Sequence, residues 1–367
     1  MTTVLVTGAG TLLAQGIIRA MRLTGRPLRI VTADPDARAA GHWLGDTART
    51  LPVASDPAYV ASLEEIVGAE RVDIVLPGTD VELPVLSRCR EELERRYAVR
   101  VLVSDPRVVE IADDKWLTAR FLAEHGFPAP RSALATDEGN VARLAEEFGF
   151  PLFAKPRRGA RSVGARVIES RSALAVACAR EPSLVVQELL PGDEGEYTAG
   201  SIVVEGKCHG VVTLRRDLRD GNTFRAYRED AYGRFDRFLA SVSETLGAHG
   251  PCNLQFRLRR GEPVIFEINA RFSGTTPIRA IFGFNELAAV LDWFLDGTPI
   301  PAPRLSEGTV LRTTGDLLIE RSALERLRAE GRLDGPRAIA VPFLISPRRS
   351  DDVTSMARQV RHCPAGG

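Results

Sequence analysis

The sequence has few of the residues that would indicate disulfide, zinc or triad chemistry. Five cysteines, odd in number and without a C-x-x-C pair, predict reduced thiols in a cytoplasmic protein, most of them buried as small apolar residues. The five histidines show no zinc-binding spacing, and no Ser-His-Asp or Cys-His arrangement is recognisable. The cysteines are Cys89, Cys178, Cys208, Cys252 and Cys363.

Charge imbalance and long apolar runs are also missing. The 48 basic and 48 acidic residues cancel, so nothing in the composition predicts a nucleic-acid or anionic-membrane partner. No run approaches the ~18 apolar residues of a spanning helix, and the start of the chain lacks a basic export region. A chain of 367 residues with 44% apolar and 26% charged residues predicts a globular protein of two or three units. Small molecules are the expected partners, with a homodimer as an option for the assembly.

Lysine is the scarcest charged residue. Only Lys115, Lys155 and Lys207 occur, so 45 of the 48 basic residues are arginine. In such a chain a surface cation is nearly always arginine, and a retained lysine suggests a task that needs a compact ammonium group. Asparagine is similarly rare, with five in the chain, two of which are Asn253 and Asn269.

Strands and helices alternate over residues 1–112. Residues 3–7 form an apolar strand, residues 8–16 open a helix, and residues 28–33 form the next strand. This pattern predicts a Rossmann-like parallel sheet with helices on both faces. The G-x-G at Gly8 and Gly10 allows an NAD-dependent oxidoreductase as an alternative function, although Leu13 stands where the third glycine of that motif belongs.

Residues 251–274 contain two arms that alternate between apolar and polar side chains. A hairpin that turns at Gly261 places Gln255 opposite Glu267 and Asn253 opposite Asn269 on one face. The other face is predicted to enter the core. Its residues are Leu254, Phe256, Leu258, Val264, Phe266 and Ile268.

The polar face of this hairpin is typical of a Mg²⁺ site. Glu267, Asn269 and Gln255 supply oxygen ligands, and phosphate oxygens would complete the shell. Arg271, next on the same face, could hold an anion beside the metal. An ordinary amphipathic hairpin with a solvated polar face explains the same pattern, and this stretch alone leaves both interpretations open.

Lys155 ends a short strand that leads into a basic loop at residues 157–165. Two glycines, one serine and three arginines in this loop predict a phosphate-binding cradle, with an exposed basic hairpin as the alternative. The lysine on the preceding strand favours phosphate. A second charged segment, residues 215–225, is too polar for a core and is predicted to be mobile and solvated or to contact an acidic substrate.

The order of these parts resembles the ATP-grasp superfamily. The parts are a Rossmann-like unit, Asp114-Lys115, Lys155-Pro156, the basic loop, Gln187-Glu188-Leu189-Leu190, Glu196-Tyr197-Thr198, Asn253-x-Gln255 and Glu267-x-Asn269-x-Arg271. Over residues 1–300 the chain is similar to stand-alone enzymes like one ATP-binding half of the carbamoyl-phosphate synthetase large chain. The implied fold is α/β, with an α+β catalytic part. The implied units are a Rossmann-like domain (1–112), an ATP-grasp domain (113–305) with a mobile lid (135–186), and a C-terminal extension (306–367) with a polar tail from Ser346.

The resemblance implies a role for each matching residue. Lys115 and Lys155 would contact ATP phosphates, and Lys155 and Arg271 would serve catalysis. Glu194 and Glu196 remain alternatives for the ribose. The lid loop would use Gly159, Arg161, Ser162 and Gly164, the adenine hinge Gln187, Glu188 and Leu190, and the metal site Gln255, Glu267 and Asn269.

The implied activity is an ATP-dependent, ADP-forming carboxylate-amine ligase. A small-molecule carboxylate would attack the γ-phosphate to give an acyl-phosphate, and an amine would then displace phosphate. The cofactors would be ATP and Mg²⁺, with Mn²⁺ as an alternative metal. A carboxyphosphate route is another option within the superfamily. A catalytically silent nucleotide-binding regulator is a third hypothesis, against which the intact lysine, glutamate, asparagine and arginine positions argue.

Overall fold

The structure is a computed structural model that describes residues 1–159, 163–313 and 315–341. Three of the sequence predictions fall outside these residues: the roles of Arg161 and Ser162, the polar tail from Ser346, and the thiol of Cys363. The other four cysteines are free thiols, and only Cys252 is fully buried. No helix within the described ranges is long and apolar enough to cross a membrane.

The N-terminal unit is a parallel sheet with helices packed on it, as the alternating pattern predicted. Its strands hydrogen-bond in the order β3-β2-β1-β4-β5, and their apolar side chains are almost completely buried. The elements are β1 (Thr2–Val6), α1 (Leu12–Arg22), β2 (Leu28–Asp34), β3 (Thr47–Thr50), α2 (Tyr59–Glu70), β4 (Ile74–Leu76), α3 (Leu83–Tyr97), β5 (Arg100–Val101) and α4 (Pro106–Asp113).

Groups of the protein itself occupy the space at the glycine turn after β1 where a dinucleotide would bind. The Asp34 carboxylate, at the end of β2, accepts a hydrogen bond from the Gly10 N–H at 2.7 Å. Gly41 donates its N–H to the Ala9 carbonyl at 3.0 Å, so closely that a Cβ on Gly41 would lie 2.2 Å from that oxygen. The N–H groups and the acid that a dinucleotide would need are therefore occupied, and the NAD hypothesis is not favoured.

A four-stranded antiparallel sheet follows, in the order β6-β9-β7-β8. This part of the chain begins with the helix α5. Asp114 caps the N-terminus of α5, since its carboxylate accepts hydrogen bonds from the N–H groups of Trp116 and Leu117. The elements are α5 (Lys115–Glu124), β6 (Ser132–Leu134), α6 (Glu138–Phe148), β7 (Leu152–Pro156), β8 (Arg166–Ile168), α7 (Arg171–Arg180) and β9 (Leu184–Glu188).

A six-stranded sheet forms the largest layer, in the order β14-β13-β10-β11-β12-β15. All its pairings are antiparallel. The elements are β10 (Glu196–Val204), β11 (Lys207–Arg219), β12 (Asn222–Arg228), α8 (Asp236–Leu246), β13 (Gly250–Arg259), β14 (Glu262–Asn269), α9 (Thr276–Ile281), α10 (Glu286–Asp296) and β15 (Gly308–Leu311).

The predicted hairpin is β13–β14, and the register of its polar face is confirmed. Gln255 pairs with Glu267, and Asn253 pairs with Asn269. A bulge between Gln255 and Phe256 then shifts the register, so that Phe256 pairs with Ile265. The core prediction was therefore wrong for Phe266, because the register of β14 changes at the bulge and puts Ile265 in the core in its place. Val264 is buried as predicted, although it pairs with Arg257 of the polar face.

Residues 215–225, predicted to be a mobile segment that is solvated or contacts an acidic substrate, lie in two strands and the turn between them. These residues are the end of β11, a turn, and the start of β12. Partners on the neighbouring strand satisfy the charge of Asp217. Its carboxylate accepts a hydrogen bond from the Tyr227 hydroxyl at 2.7 Å and lies 3.8 Å from Arg225. The start of the segment is paired on both edges, since Arg215 and Arg216 pair with β10 on one side and with β12 on the other.

The N-terminal unit and the large sheet share one apolar core. Side chains of α1 pack against α9 and α10, which in turn cover the large sheet. The last elements return to the N-terminal unit, where β17 pairs antiparallel with β3. They are β16 (Asp316–Ile319), α11 (Arg321–Glu330), β17 (Arg332–Asp334) and β18 (Ala338–Val341).

A fully buried ion pair lies where α9 and α10 meet the large sheet. The guanidinium of Arg279 binds the Glu286 carboxylate through two hydrogen bonds of 2.7 and 3.0 Å, and both side chains are 1% exposed. Gly200 on β10 makes room for the pair, since a Cβ there would lie 2.0 Å from a Glu286 oxygen. The Thr275 and Thr276 hydroxyls complete the network.

We expect Arg279→Ala or Glu286→Ala to lower the free energy of unfolding by about 3–5 kcal/mol, because each leaves one charge buried without a partner. Chemical denaturation measures this loss. The exposed pair Arg321–Glu325 is the control, and Arg321→Ala should change stability by no more than about 0.5 kcal/mol. Similar small losses at both pairs would contradict the structural role of the buried pair.

Candidate active site

A cleft of about 400 Å³ opens between the four-stranded sheet and the large sheet. It brings together most of the residues selected from the sequence. Those that line it are Lys115, Lys155, Gly159, Gln187, Glu188, Leu190, Glu196, Gln255 and Glu267. Gly164, Glu194, Asn269 and Arg271 are not among the described lining residues.

The sequence reasoning missed two arginines of the lining, Arg216 and Arg257, which enter the cleft from β11 and β13. Arg158, which lines the cleft too, is one of the three arginines of the predicted phosphate-binding loop. Phe266 also lines the cleft as a result of the β14 bulge. Arg257 follows Gln255 by two positions on the polar face and could have been predicted from the period-two pattern. Arg216 lay in the segment interpreted as solvated.

Lys155 lies at the base of the cleft. Its side chain is almost completely buried, and its ammonium donates a hydrogen bond to the Phe266 carbonyl at 2.9 Å. Burial lowers the pKa of Lys155 to about 8, while the nearby Glu267 carboxylate acts in the opposite direction. This buried ammonium forms no salt bridge with the described residues, which suits it to receive an anion.

Lys115 reaches the cleft from the start of α5. Its ammonium donates a hydrogen bond to the Gly159 carbonyl at 2.6 Å, and its backbone N–H bonds the Arg157 carbonyl. Arg157 in turn lies 2.6 Å from the Asp114 carboxylate. These contacts tie the described start of the basic loop to the beginning of α5. Gly159 and Gly164 both have positive φ, which glycine adopts without strain.

The segment predicted as an adenine hinge follows the buried strand β9. The side chain of Gln187 donates a hydrogen bond to the Ser132 hydroxyl at 2.7 Å. Glu188 forms an ion pair with Arg259, and its other oxygen accepts a hydrogen bond from the Arg131 N–H. The polar side chains at this end of β9 are therefore held by neighbouring strands, which fixes the course of the chain toward Leu190.

Two arginines hold Glu196 in the cleft. Arg216 donates a hydrogen bond to one carboxylate oxygen at 2.8 Å, and Arg257 donates to the other at 3.1 Å. Arg257 also donates to the Leu190 carbonyl at 3.2 Å, which links the hinge to Glu196. Glu194 instead accepts a hydrogen bond from the Gly261 N–H, outside the cleft lining.

The Glu267 carboxylate is the centre of the hairpin's polar face. One of its oxygens accepts hydrogen bonds from the Asn269 carboxamide at 3.0 Å and from the Gln255 carboxamide at 3.2 Å. The Gln255 oxygen accepts a hydrogen bond from Arg216 at 2.6 Å. One carboxylate beside two carboxamides fits the oxygen-ligand chemistry of Mg²⁺, although Arg216 competes for the Gln255 oxygen.

Arg271 connects the hairpin to the N-terminal unit. Its guanidinium forms two hydrogen bonds, of 2.8 and 3.0 Å, to the carboxylate of Asp80, which follows β4. It also donates to the Asn269 oxygen at 3.0 Å. The guanidinium that the sequence reasoning assigned to an anion is therefore paired with Asp80, and it also orients the Asn269 carboxamide.

The cleft lining is more basic than acidic. Five cationic side chains face three carboxylates among the described residues that line it. The cations are Lys115, Lys155, Arg158, Arg216 and Arg257, and the carboxylates are Glu188, Glu196 and Glu267. A polyanion with an apolar body fits this lining, because Phe153, Val167 and Phe266 supply apolar walls.

Two family models match the chain. The model described as PylC-like, N-terminal domain, matches residues 4–102. The model described as ATP-grasp in the biosynthetic pathway with Ter operon matches residues 180–314, which contain the β13–β14 hairpin and Glu196. The two matches therefore cover the parallel-sheet unit and most of the large sheet separately.

A curated relative is the carbamoyl phosphate synthase large chain of Mycobacterium sp. (strain JLS), which is 25% identical over 240 residues. The match covers 62% of this chain and 21% of that protein, so this chain spans about a fifth of the relative's length.

Solved structures share the whole architecture. An ADP complex of N5-carboxyaminoimidazole ribonucleotide synthetase superposes with a TM-score of 0.67 and 13% identity, covering 98% of this chain and 96% of that one. The biotin carboxylase domain of Hydrogenobacter thermophilus 2-oxoglutarate carboxylase, a dimer crystallised with MgADP and bicarbonate, gives a TM-score of 0.65 at 14% identity over 84% and 73% of the two chains. Residues 180–314 thus match an ATP-grasp family model, the curated relatives are carbamoyl phosphate synthase large chains, and the chain shares its fold with ATP-grasp-type structures crystallised with ADP.

Proposed function

We propose that this protein is an ATP-dependent, ADP-forming carboxylate-amine ligase. The observation that carries the proposal is the convergence of Lys155, Glu196 and Glu267 in one cleft. ATP and Mg²⁺ are its cofactors. The structural neighbours crystallised with ADP and MgADP support this choice. The substrates are small molecules, one with a carboxylate and one with an amine, and a homodimer is part of the proposal.

The nucleotide is proposed to lie along the cleft from the hinge to the hairpin. The backbone near Leu190 binds the adenine edge, with Phe153 and Phe266 as apolar neighbours of the ring. Glu196 binds the ribose hydroxyls, a choice supported by its position in the cleft, which Glu194 lacks. Lys115 and Lys155 bind the phosphates, and the loop containing Gly159 and Gly164 covers them.

Glu267 and Asn269 are proposed as the protein's metal ligands, with Gln255 as an additional ligand or as a group that orients Glu267. Rotation of the Asn269 carboxamide would present its oxygen, and phosphate oxygens and water complete the shell. Mn²⁺ is an alternative because its ligand preference is similar. A metal held by Glu267 and Asn269 would supply positive charge that offsets the charge of the phosphates.

Catalysis in this proposal depends on positioning and charge. The substrate carboxylate attacks the γ-phosphorus in line, the bond to the β,γ-bridging oxygen breaks, and ADP leaves. The amine then attacks the acyl-phosphate, loses a proton, and displaces inorganic phosphate to form the amide. Lys155 stabilises charge on the transferring phosphoryl group. Arg271, held by Asp80, stabilises the metal ligands and the nearby anion.

The alternative function is a nucleotide-binding regulator without catalytic activity. Activity data distinguish it from the ligase. An ADP-release assay with a panel of carboxylates, each tested with and without a panel of amines, distinguishes the two functions. Turnover that requires both substrates supports the ligase. ATP binding without ADP release for any pair supports the regulator.

We expect Glu267→Gln to lower kcat for ADP release at least about 100-fold, because a neutral carboxamide binds Mg²⁺ poorly and leaves phosphate charge uncompensated. Far-UV circular dichroism should remain unchanged. Glu262→Gln, an exposed position on the same strand, is the matched control and should keep full activity. Wild-type turnover in Glu267→Gln would refute the metal site.

We expect Lys155→Ala to lower kcat/KM for ATP at least about 100-fold, and Lys155→Arg to restore little of it. The buried site accommodates a compact ammonium and not a planar guanidinium fork. Lys207→Ala is the control, since this exposed lysine lies on β11 away from the cleft lining. A fully active Lys155→Arg protein would contradict the argument from lysine scarcity.

ATP binding should weaken above pH 8. The pKa of Lys155 is lowered from 10.5 to about 8, so the nucleotide-free protein loses this charge as the pH rises through 8. Phosphates bind the charged form, and the Kd for ATP should rise by up to about tenfold per pH unit above that value. Titration calorimetry at pH 7 and 9 measures the change. The same Kd at both pH values would contradict it, and Lys155→Met should show no such dependence.

A further inference from the structure

A second concave surface lies where α1 meets α9 and β15. This surface, the α1–α9 groove, has a volume of about 470 Å³. Six of its lining residues carry the inference: Leu12, Arg19, Leu23, Ile281, Leu311 and Arg312. None of the residues that line the groove lines the active-site cleft.

The groove exposes large apolar side chains to solvent. Leu12, Leu23, Ile281 and Leu311 are 50%, 58%, 59% and 64% exposed. Its floor is rigid, because α1 and α9 pack closely at Gly16, where a Cβ would lie 3.2 Å from Pro277. Four exposed apolar side chains that line one preformed concavity indicate a binding surface more strongly than the same side chains scattered over the protein.

The charged groups of the groove all have the same sign. Its described lining contains three arginines and no acidic residue. Arg22 is neutralised by Asp46 at 2.9 Å, which leaves Arg19 and Arg312. Arg312 is half-buried and donates to the Gly274 carbonyl, a neutral acceptor. Burial and the nearby Arg19 both lower the pKa of Arg312.

We propose that the α1–α9 groove is a second ligand-binding site, for a small carboxylate with an apolar body. Arg312 and Arg19 bind the carboxylate, and the body lies against Leu12, Ile281 and Leu311. A bound carboxylate compensates the like charges of two arginines that line the same apolar surface, and the guanidinium fork matches its two oxygens.

The shape of the groove favours a small molecule over a macromolecule. Its volume is in the range of small-ligand pockets, which is roughly 300–1,000 Å³. A membrane surface would contact a convex or flat apolar patch, whereas these side chains line a concavity. The site does not depend on the ligase activity, because the ligand binds without ATP.

Octanoate is the probe for this site, compared with octanol, octylamine and acetate by titration calorimetry on the full-length protein. We expect octanoate to bind and the three analogues to bind at least about tenfold more weakly, because each lacks the carboxylate or the apolar body. Arg312→Gln and Arg19→Gln should each weaken octanoate binding about tenfold. Arg19 is exposed, so its substitution leaves folding unaffected. Leu311→Ser should also weaken binding.

Two controls separate this site from others. Arg326→Gln changes an exposed arginine on α11 and should leave octanoate binding unchanged. Lys155→Ala changes the active-site cleft and should also leave it unchanged. The proposal is overturned if octanol binds as tightly as octanoate, if both arginine variants bind normally, or if binding is lost in Lys155→Ala. Binding to anionic vesicles with no response to octanoate would likewise overturn it.

Discussion

The cleft depends on the pairing of Gln255 with Glu267 across the β13–β14 hairpin. This register puts two carboxamides and one carboxylate side by side at a distance where each carboxamide can donate to the same carboxylate oxygen. A slip of one residue would turn all of these groups into the apolar core beneath the sheet. The apolar face of the hairpin, buried against α8, holds the register in place.

From this pair a chain of polar contacts crosses the cleft in both directions. Toward the hinge, Arg216 joins Gln255 to Glu196, and Arg257 joins Glu196 to the Leu190 carbonyl. Toward the N-terminal unit, Arg271 joins Asn269 to Asp80. Every charge along this chain has a neighbour of opposite sign or a neutral hydrogen-bond partner, which offsets the cost of removing it from water. The two ends of the cleft are thereby fixed relative to each other.

The hairpin register, the parallel-sheet unit and the place of Lys155 in the cleft could be predicted from the sequence, because each depends on a local pattern or on composition. Period-two alternation set the hairpin faces, but the bulge that exchanges Phe266 for Ile265 leaves no trace in that pattern. The role of Arg216 could not be predicted either. A charged strand resembles a solvated loop until its pairing partners are known, and those partners come from residues far away in the chain. Asp80 as the partner of Arg271 is likewise a contact between units, 191 residues apart.

The central claim is that the hairpin carboxylate holds a metal against a nucleotide in this cleft. A crystal structure of the protein with a non-hydrolysable ATP analogue and Mg²⁺ tests it directly. The account predicts the base beside Leu190 and a metal at about 2.0–2.1 Å from a Glu267 oxygen and from phosphate oxygens. A nucleotide bound instead at the glycine turn after β1, or a metal with no contact to Glu267, would contradict it.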